Sequence, residues 1–181
     1  MLPYGLSGGC LLRAFEERDA ADLDRVIEAN HDHLARWLPW VEAEHGVEAR
    51  RAFIRASRRQ AAADDGFVAA IVDGGAIVGA IGFHRVDRVN SATSIGYWLA
   101  EDRQGRGTMT EAVRALTAHA FGSWGLNRVE IRVAVGNERS AAIPLRLGFT
   151  EEGVLRGAEK HGDGYLDLRV FSMLAREWAA G

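Results

Sequence analysis

The stretch IGYWLAEDRQGRGTMTEAVRAL, residues 95–116, carries the pattern on which the predicted fold depends. It begins with an apolar run typical of a β-strand, passes through a turn with two glycines and two arginines, and continues with apolar residues at helical spacing. A helix N-terminus exposes N–H groups that carry about half a positive charge, and glycines beside it let an anion approach the backbone. The stretch therefore predicts an anion-binding turn between a strand and a helix, with an ordinary strand-to-helix turn as the alternative.

The composition points to a single soluble domain. The 181 residues suffice for one substantial core, and we expect one domain over residues 1–181. The formal charge of -3 gives no net positive field for nucleic acid, and no apolar run approaches the roughly 20 residues of a membrane span. Cys10, the only cysteine, excludes an intrachain disulfide, and its apolar neighbours predict burial. Without a secretion signal, the expected location is cytoplasmic, with neither membrane nor nucleic-acid partners.

The first third of the chain predicts mostly helix. A short strand at residues 11–15 is followed by Asp19, a residue type favoured at helix caps, and by apolar residues at helical spacing. A second helical segment covers residues 30–37 and stops before Pro39, and a longer helix covers residues 47–63. Five arginines of the longer helix predict a solvated cationic face: Arg50, Arg51, Arg55, Arg58 and Arg59.

The rest of the chain alternates between strand and helix patterns. The predicted strands are residues 67–72, 76–83, 93–99, 128–135, 149–155 and 165–174. One predicted helix has apolar residues at helical spacing over 109–120 and is ended by Trp124, Gly125 and Asn127, and a second covers residues 137–147. Asp73, Gly74 and Gly75 join the first two strands as a hairpin. Strict alternation over residues 128–135 predicts a half-buried strand. The order predicts an α+β, or mixed α/β, sheet protein without repeated βαβ units.

The two common phosphate-binding motifs are missing from the glycine turn. The chain has no G-x-x-x-x-G-K-[S/T] sequence, and the pair Gly105 and Gly107 lacks the third glycine of the dinucleotide fingerprint. A nucleotide triphosphatase and a Rossmann enzyme are therefore disfavoured. A second conspicuous segment, VAVGNERSAAIPLRLGF at residues 133–149, follows the alternating strand.

Together these segments make the chain resemble the GNAT superfamily of acyl-CoA-dependent N-acyltransferases, and more narrowly its RimJ/RimL-type members. Those members acetylate protein N-termini, including those of ribosomal proteins. The acyl-CoA signature [Q/R]-x-x-G-x-[G/A] is matched around Gln104, Gly105, Arg106, Gly107 and Thr108, followed by Met109 where the family has a small residue. The later motifs are matched by Asn137 and Ser140, by Leu147, Gly148 and Phe149, by Gly157, Ala158 and Glu159, and by Tyr165 and Asp167. The WLPW segment, residues 37–40, also resembles that subgroup.

The resemblance implies a GNAT-like twisted mixed sheet, mainly antiparallel, flanked by helices and splayed at its centre between residues 93–99 and 128–135. It implies acetyl-CoA as co-substrate, with no metal. The implied cofactor-binding residues are Tyr97, Trp98, Leu99, Gln104, Gly105, Arg106, Gly107, Thr108, Asn137 and Ser140. Arg103 and Arg106 would add positive charge at the rim of the turn. A homodimer is common in the resembling family.

The implied chemistry is direct acyl transfer from the thioester to an amine in a ternary complex. Ser140 is the candidate acid that protonates the leaving thiolate, and capping of its helix is the alternative role. Glu159 is the candidate base on the amine side, directly or through water, and an exposed loop carboxylate is the alternative. A backbone N–H near Trp98 or Leu99 would polarise the thioester carbonyl.

The acceptor is predicted to be a protein or peptide N-terminal amine, such as that of a ribosomal protein. An α-amine near pKa 8 lies only about 1.4 kcal/mol from neutrality at pH 7, against about 4.6 kcal/mol for a lysine amine. Trp37, Trp40 and Tyr165 are the candidate substrate-binding residues, and a core role is the alternative for the tryptophans. A small-molecule amine, another acyl group such as succinyl, and a non-catalytic acyl-CoA-binding module remain alternatives. The histidines match no metal motif, so no metal site is expected.

Overall fold

The computed structural model describes residues 1–178. These residues fall into two compact units, each discontinuous in sequence. The first unit holds Met1–Gly82 and Tyr97–Met109, and the second holds Phe83–Gly96 and the chain from Thr110 onward. The expectation of one domain over residues 1–181, whose last three residues lie outside the described part, stays a prediction.

Strands and helices alternate broadly as expected. The described strands are β1 (Tyr4–Gly5), β2 (Leu11–Ala14), β3 (Val68–Asp73), β4 (Ala76–Asp87), β5 (Ala92–Leu99), β6 (Arg128–Ala134), β7 (Thr150–His161) and β8 (Gly164–Leu174). The described helices are α1 (Ala20–Ala29), α2 (His31–Ala35), α3 (Trp40–Ala43), α4 (Gly46–Ala62), α5 (Thr108–Gly122), α6 (Glu138–Arg146) and α7 (Ala175–Trp178). The strand order is β1-β2-β3-β4-β5-β6-β8-β7.

Most strand pairs are antiparallel, and β5 and β6 run parallel. Their register joins Ala92, Thr93 and Ser94 to Arg128, Val129 and Glu130, at the beginning of both strands. The predicted class, a mixed α/β protein with a mainly antiparallel sheet flanked by helices, is confirmed.

In the first unit, glycines set the β3–β4 hairpin. Gly74 and Gly75 have φ values of 57° and 85°, the left-handed pair that a two-residue type I′ turn requires. The unit has a continuous apolar core built by α1, α2, α3, α4 and strands β3 and β4. Its buried members are Phe15, Ala20, Leu23, Ile27, Leu34, Ala35, Val41, Ile54, Ala70, Val72, Ile77 and Ala80.

Asp19 precedes α1 as predicted, but its carboxylate does not cap that helix. It accepts hydrogen bonds from Arg13 Nη1 at 2.6 Å, from Arg13 Nη2 at 2.9 Å and from the Glu16 N–H at 2.8 Å. The bidentate ion pair ties the turn before α1 to strand β2. Local sequence showed the correct helix start, whereas the partner of the carboxylate depends on the strand beside it.

In the second unit, the alternation of β6 is confirmed for most of the strand. Val129, Ile131 and Val133 are buried, as the pattern predicted. The strand ends at Ala134. Val135, just beyond it, is 49% exposed, and its N–H donates to the Asp167 carbonyl. Strand β6 pairs with β8 from Arg128 opposite Leu174 to Ala134 opposite Leu168.

Several boundaries differ from prediction for local reasons. Pro39 ends the helical segment before it but also begins α3, because a fixed φ suits the first turn of a helix. Strand β1 and helix α7 were not predicted, and β4 and β7 are longer than their apolar patterns. Cys10, expected to be buried, is only half-buried. None of the helices within residues 1–178 combines the length and apolarity needed to cross a membrane.

Candidate active site

The turn between β5 and α5 has the open backbone expected of an anion site. Gly105 and Gly107 have φ values of 78° and 81°, a left-handed conformation that other residues rarely adopt. A Cβ built on either glycine meets no atom of the described chain within 4 Å beyond its own neighbours. Helix α5 begins at Thr108, and the first four N–H groups of a helix have no intrahelical acceptor. The turn thus exposes backbone at the positive end of a 15-residue helix.

The two arginines of the turn differ in role. Arg103 Nη1 lies 2.8 Å from Asp73 Oδ2, and its Nε lies 3.1 Å from Asp102 Oδ2. Arg106 is exposed and donates from Nη2 to the Asp102 carbonyl at 3.1 Å. Because two carboxylates balance the charge of Arg103, the interpretation of both arginines as rim charges is wrong for Arg103. Arg103 anchors the turn to the end of β3, and Arg106 is the cation at its surface.

Two residues at the start of α2 also hold the turn, and sequence analysis missed both in this role. Asn30 Oδ1 accepts a hydrogen bond from the Glu101 N–H at 2.9 Å. His33 Nε2 lies 2.7 Å from Gln104 Nε2, so the imidazole accepts from the amide when its proton is on Nδ1. Each pair is separated by 71 residues, and no local spacing signals such a contact.

Gln104 supports the turn with both its side chain and its backbone. Besides the His33 contact, its Nε2 donates to the Leu99 carbonyl at 3.4 Å, and its N–H donates to the Glu101 carbonyl at 3.3 Å. Met109, the departure from the family pattern, is only 7% exposed. Its side chain is therefore part of the packed interior, and the open backbone positions are the two glycines.

The structure brings together one predicted cofactor residue and one predicted substrate residue. The rings of Trp98 on β5 and Trp40 on α3 lie 6.4 Å apart between centroids, tilted by 56°. Both are half-buried and pack against the apolar core of the first unit, so the core role proposed as an alternative also holds for Trp40. Trp37 is half-buried just beyond α2, with its N–H donating to the Leu34 carbonyl. Tyr97 is half-buried and Leu99 is buried on the same strand.

In the second unit, Asn137 and Ser140 meet at the start of α6. Asn137 is the N-cap, and its Oδ1 accepts a hydrogen bond from the Ser140 N–H at 3.2 Å. Capping by Ser140, the alternative role, is therefore wrong, because Asn137 performs it. Ser140 is half-buried. Arg169 of β8 forms an ion pair with Glu138 at this helix start, with 3.1 Å between Arg169 Nη1 and Glu138 Oε2. The hydrogen bonds from Arg169 to Glu151 raise the pKa of the Arg169 guanidinium.

Glu159 follows a bulge that explains two of the later motifs. Three residues of β7, 156–158, face a single residue of β8, Asp167. Asp167 Oδ1 accepts a 2.6 Å hydrogen bond from the N–H of Gly157, which has φ 56°. Glu159 then resumes pairing opposite Leu166 and is half-buried, so its interpretation as an exposed loop carboxylate is wrong. The Y-x-D aspartate thus holds the G-A-E segment in place.

Tyr165 lies on the same hairpin, in register with Lys160, and is 67% exposed. A Cβ built on Gly157 would lie 3.9 Å from the Tyr165 Cβ, so the tyrosine stands beside the bulge. Within residues 1–178, no three His, Cys, Asp or Glu side chains are grouped to hold a metal ion.

Comparison with known proteins decides the family. Residues 10–150 match the family described as Acetyltransferase (GNAT) domain. The chain belongs to the GNAT acetyltransferase family. It is therefore a GNAT-family N-acetyltransferase.

Two relatives of this GNAT acetyltransferase align along nearly their whole lengths. "Putative ribosomal N-acetyltransferase YdaF" of Bacillus subtilis (strain 168) is 39% identical over 92% of this chain and 92% of that protein. The ribosomal-protein-serine acetyltransferase of Escherichia coli (strain K12) is 30% identical over 90% of this chain and 91% of that protein. The GNAT acetyltransferase thus resembles RimJ/RimL-type enzymes over most of its sequence.

Two solved structures share the fold of this GNAT acetyltransferase. The microcin C7 self immunity acetyltransferase MccE, in complex with acetyl-CoA and AMP, has a TM-score of 0.87 and 28% identity, over 95% of this chain and 97% of that chain. RimL, a ribosomal L7/L12 alpha-N-protein acetyltransferase in complex with coenzyme A, has a TM-score of 0.88 and 26% identity, over 94% of this chain and 97% of that chain.

Proposed function

We propose that this GNAT acetyltransferase transfers the acetyl group of acetyl-CoA to the N-terminal amine of a protein or peptide. The observation that carries the proposal is the open glycine turn at the N-terminus of α5, which suits the pyrophosphate of a coenzyme A. Two of the similar proteins, the ribosomal-protein-serine acetyltransferase and RimL, are named for acetylation of ribosomal proteins, and this supports a protein N-terminus as acceptor. Such an acceptor also supports a cytoplasmic location, and a homodimer is the proposed assembly.

In this proposal the pyrophosphate binds the N–H groups of residues 105–108, and Arg106 adds a cation. Gln104 contributes by holding the turn through His33, since its own N–H already donates to Glu101. The pantetheine arm lies along Tyr97, Trp98 and Leu99, and Asn137 contacts one of its amides.

The amine attacks the thioester carbonyl in a ternary complex. A C–N bond forms, the C–S bond breaks, and a backbone N–H near Trp98 or Leu99 stabilises the negative oxygen of the tetrahedral intermediate. Ser140 supplies a proton to the leaving thiolate, and Glu159 takes a proton from the amine, directly or through water. Transfer through water then returns that proton from Glu159 to Ser140. Ser140 suits this role because Asn137 performs the capping of α6.

A thiol-release assay with acetyl-CoA tests the proposal. The acceptor panel consists of peptides with a free N-terminal serine or alanine, the same peptides blocked at the N-terminus but containing lysine, and small amines. Release with the free peptides and none with the blocked ones is the expected result. Release with lysine alone contradicts it, and acetyl-CoA binding without release for any acceptor identifies a binding module instead.

A small-molecule amine is the second candidate acceptor. The observation that favours it is the likeness to MccE, a self-immunity enzyme whose structure contains AMP as well as acetyl-CoA. Turnover of small amines faster than of any peptide in the same panel would select this candidate. Parallel assays that replace acetyl-CoA with succinyl-CoA show which of the two acyl groups the enzyme transfers faster.

A further inference from the structure

Arg50 occupies a position that its sequence context did not predict. The arginine pattern predicts it on the solvated face of the longer helix, yet Arg50 is only 2% exposed and is one of the largest fully buried side chains. Its neighbours on α4 behave differently: Arg51 pairs with Glu48, Arg55 pairs with Glu17, and Arg58 and Arg59 are exposed. The helix therefore has one buried guanidinium within a row of surface arginines.

The buried guanidinium is held by one carboxylate. Arg50 Nε lies 3.3 Å from Asp24 Oδ1 on α1. Three buried polar atoms of this pair have no partner within the described chain that meets the geometry of a hydrogen bond: Arg50 Nε, Arg50 Nη2 and Asp24 Oδ1. Burial of an ion pair is stabilising only when its geometry and its remaining hydrogen bonds are good, and a well-packed apolar pair is often as stable. Stability alone therefore gives a weak reason for this arginine.

The guanidinium also lies over an aromatic ring. Arg50 Cζ lies 5.7 Å from the centroid of the Trp40 ring. Trp40 in turn lies against Trp98, at 6.4 Å between centroids. A cation over an indole is attracted by the electrons of the ring, and the attraction grows when both groups are removed from water. Arg50, Trp40 and Trp98 thus form a stack that runs from α4 to β5.

Helix α3, which carries Trp40, has only four residues and cannot hold its own orientation through helical hydrogen bonding. Its position depends on packing. Because Trp40 is the candidate acceptor residue and Trp98 lies on the candidate pantetheine strand, the contact between them is where the two substrates of the proposed reaction would meet.

We propose that Arg50 is a specificity-determining positioning residue, whose guanidinium, oriented by Asp24, holds the Trp40 indole against Trp98 and so sets the acceptor side of the acyl site. The inference rests on the proposed function for the roles of the two tryptophans. Arg50 contacts neither substrate in this scheme and acts through Trp40.

The test compares Arg50→Met, Arg50→Lys and Trp40→Phe with the double variants Arg50→Met/Trp40→Phe and Arg50→Lys/Trp40→Phe. Arg58→Met is the matched control on the exposed face of α4. The kinetic probes are acetyl-CoA and a peptide with a free N-terminal serine. Urea unfolding and acrylamide quenching of tryptophan fluorescence are measured on the same proteins.

For Arg50→Met we expect kcat/KM for the peptide to fall about tenfold, with the KM for acetyl-CoA within about twofold of wild type. Quenching should rise, and the unfolding midpoint should fall, because Asp24 keeps its charge without a partner. Arg50→Lys should lose about threefold, because an ammonium lacks the planar fork that packs on the indole. The double variant should be no worse than Trp40→Phe, since the arginine acts through that ring.

Unchanged peptide kinetics in Arg50→Met, an equal loss in Arg58→Met, or fully additive losses in the double variant would each overturn the proposal. Should Arg50→Met fail to fold, Arg50→Lys decides: a loss in peptide kcat/KM that vanishes in the Trp40→Phe background supports the inference, and wild-type kinetics overturns it. If the wild type acetylates no amine of the panel, the proposed function fails. The quenching then decides whether the arginine holds Trp40: Arg50→Met should raise it in the wild-type background and not in the Trp40→Phe background.

Discussion

Asn137 and Ser140 belong to one sequence motif, in which capping of α6 and proton donation could each be assigned to Ser140. Asn137 caps α6 through the Ser140 N–H, a backbone contact that any residue at position 140 could make. The hydroxyl of Ser140 takes no part in that cap. This separation allows a substitution at 140 to report on chemistry.

Ser140→Ala should lower kcat about a hundredfold, because general acid catalysis typically contributes about a hundredfold or more. Acetyl-CoA affinity should stay within a few fold, and the free energy of unfolding should change by less than about 0.5 kcal/mol. Asn137→Ala is the stability control, with an expected loss of about 1 kcal/mol from the missing cap. Steady-state kinetics and urea unfolding measure both, and an unchanged kcat in Ser140→Ala would remove the serine from the mechanism.

Glu159 lies in a strand just beyond a bulge, half-buried, where a carboxylate has a defined orientation. Glu159→Gln should lower kcat/KM about a hundredfold at pH 7 if the carboxylate is the amine-side base. The loss should shrink as pH rises toward about 8, because the α-amine then loses its proton without help. The pH profile of kcat/KM is the measurement. A loss of the same size at every pH indicates that Glu159 positions the acceptor instead.

At the scale of elements, the β5–α5 turn combines glycines in a left-handed conformation with anchors from other segments. Gly107→Ala should reduce acetyl-CoA affinity at least tenfold, since the left-handed φ of 81° disfavours alanine and a methyl group would cover the open backbone. Gly125, with φ 62° beyond the end of α5, is the matched control. Gly125→Ala should destabilise the protein by a similar amount, about 1 kcal/mol, and leave acetyl-CoA binding unchanged.

Titration calorimetry with acetyl-CoA and urea unfolding distinguish the two glycines. Gly107→Glu, which adds a negative charge at the proposed pyrophosphate position, should abolish binding altogether. Wild-type affinity in Gly107→Glu would overturn the assignment of the turn.

Helix α2 supports the same turn through His33. A substitution of His33 should therefore alter cofactor affinity, although His33 is not proposed to contact the cofactor. His33→Ala removes the nearer of the two acceptors of the Gln104 side chain and should raise the Kd for acetyl-CoA about fivefold, the expected net value of one such hydrogen bond. His31→Ala is the matched control on α2, because His31 contacts Asp32 and His45 instead. Equal effects of the two substitutions on the Kd would show that His33 has no particular role.

At the scale of the whole molecule, carboxylates paired with arginines make folding stability depend on acidity. The hydrogen bonds that Glu152 accepts from Arg128 and, to a smaller extent, from Ser172 lower its pKa from 4.5 to about 2. Arg169 lowers the pKa of Glu151, and Arg55 lowers that of Glu17. Since the folded protein binds protons less readily than the unfolded chain, these groups stabilise it above about pH 4.5, and their contribution disappears as pH falls toward 2.

The free energy of unfolding should therefore fall steadily between pH 4.5 and pH 2. Glu152→Gln should flatten part of that fall, because glutamine does not titrate. Glu44→Gln, at an exposed carboxylate just beyond α3, is the control and should leave the slope unchanged. Urea unfolding across this pH range measures the slopes, and an identical slope in Glu152→Gln would contradict the assignment.

Most of the fold was predictable because its signals are local. The Gly74–Gly75 hairpin, the alternation of β6 and the helical spacing of α5 depend on residues a few positions apart, and each appears as predicted apart from boundaries. The ordered motifs also identified the family, which the match over residues 10–150 confirms. The roles of the site residues stay predictions.

Contacts between distant segments could not be predicted, because nothing in local spacing encodes them. Asn30 and His33 reach the glycine turn across 71 residues, and Asp167 reaches Gly157 only through the pairing of β7 with β8. Arg50 looked like its surface neighbours until the packing of α1, α3 and α4 enclosed it. Local composition is enough to form a strand, a turn or a helix start, whereas burial of a charge and the partner of a carboxylate depend on which segments the folded chain places side by side.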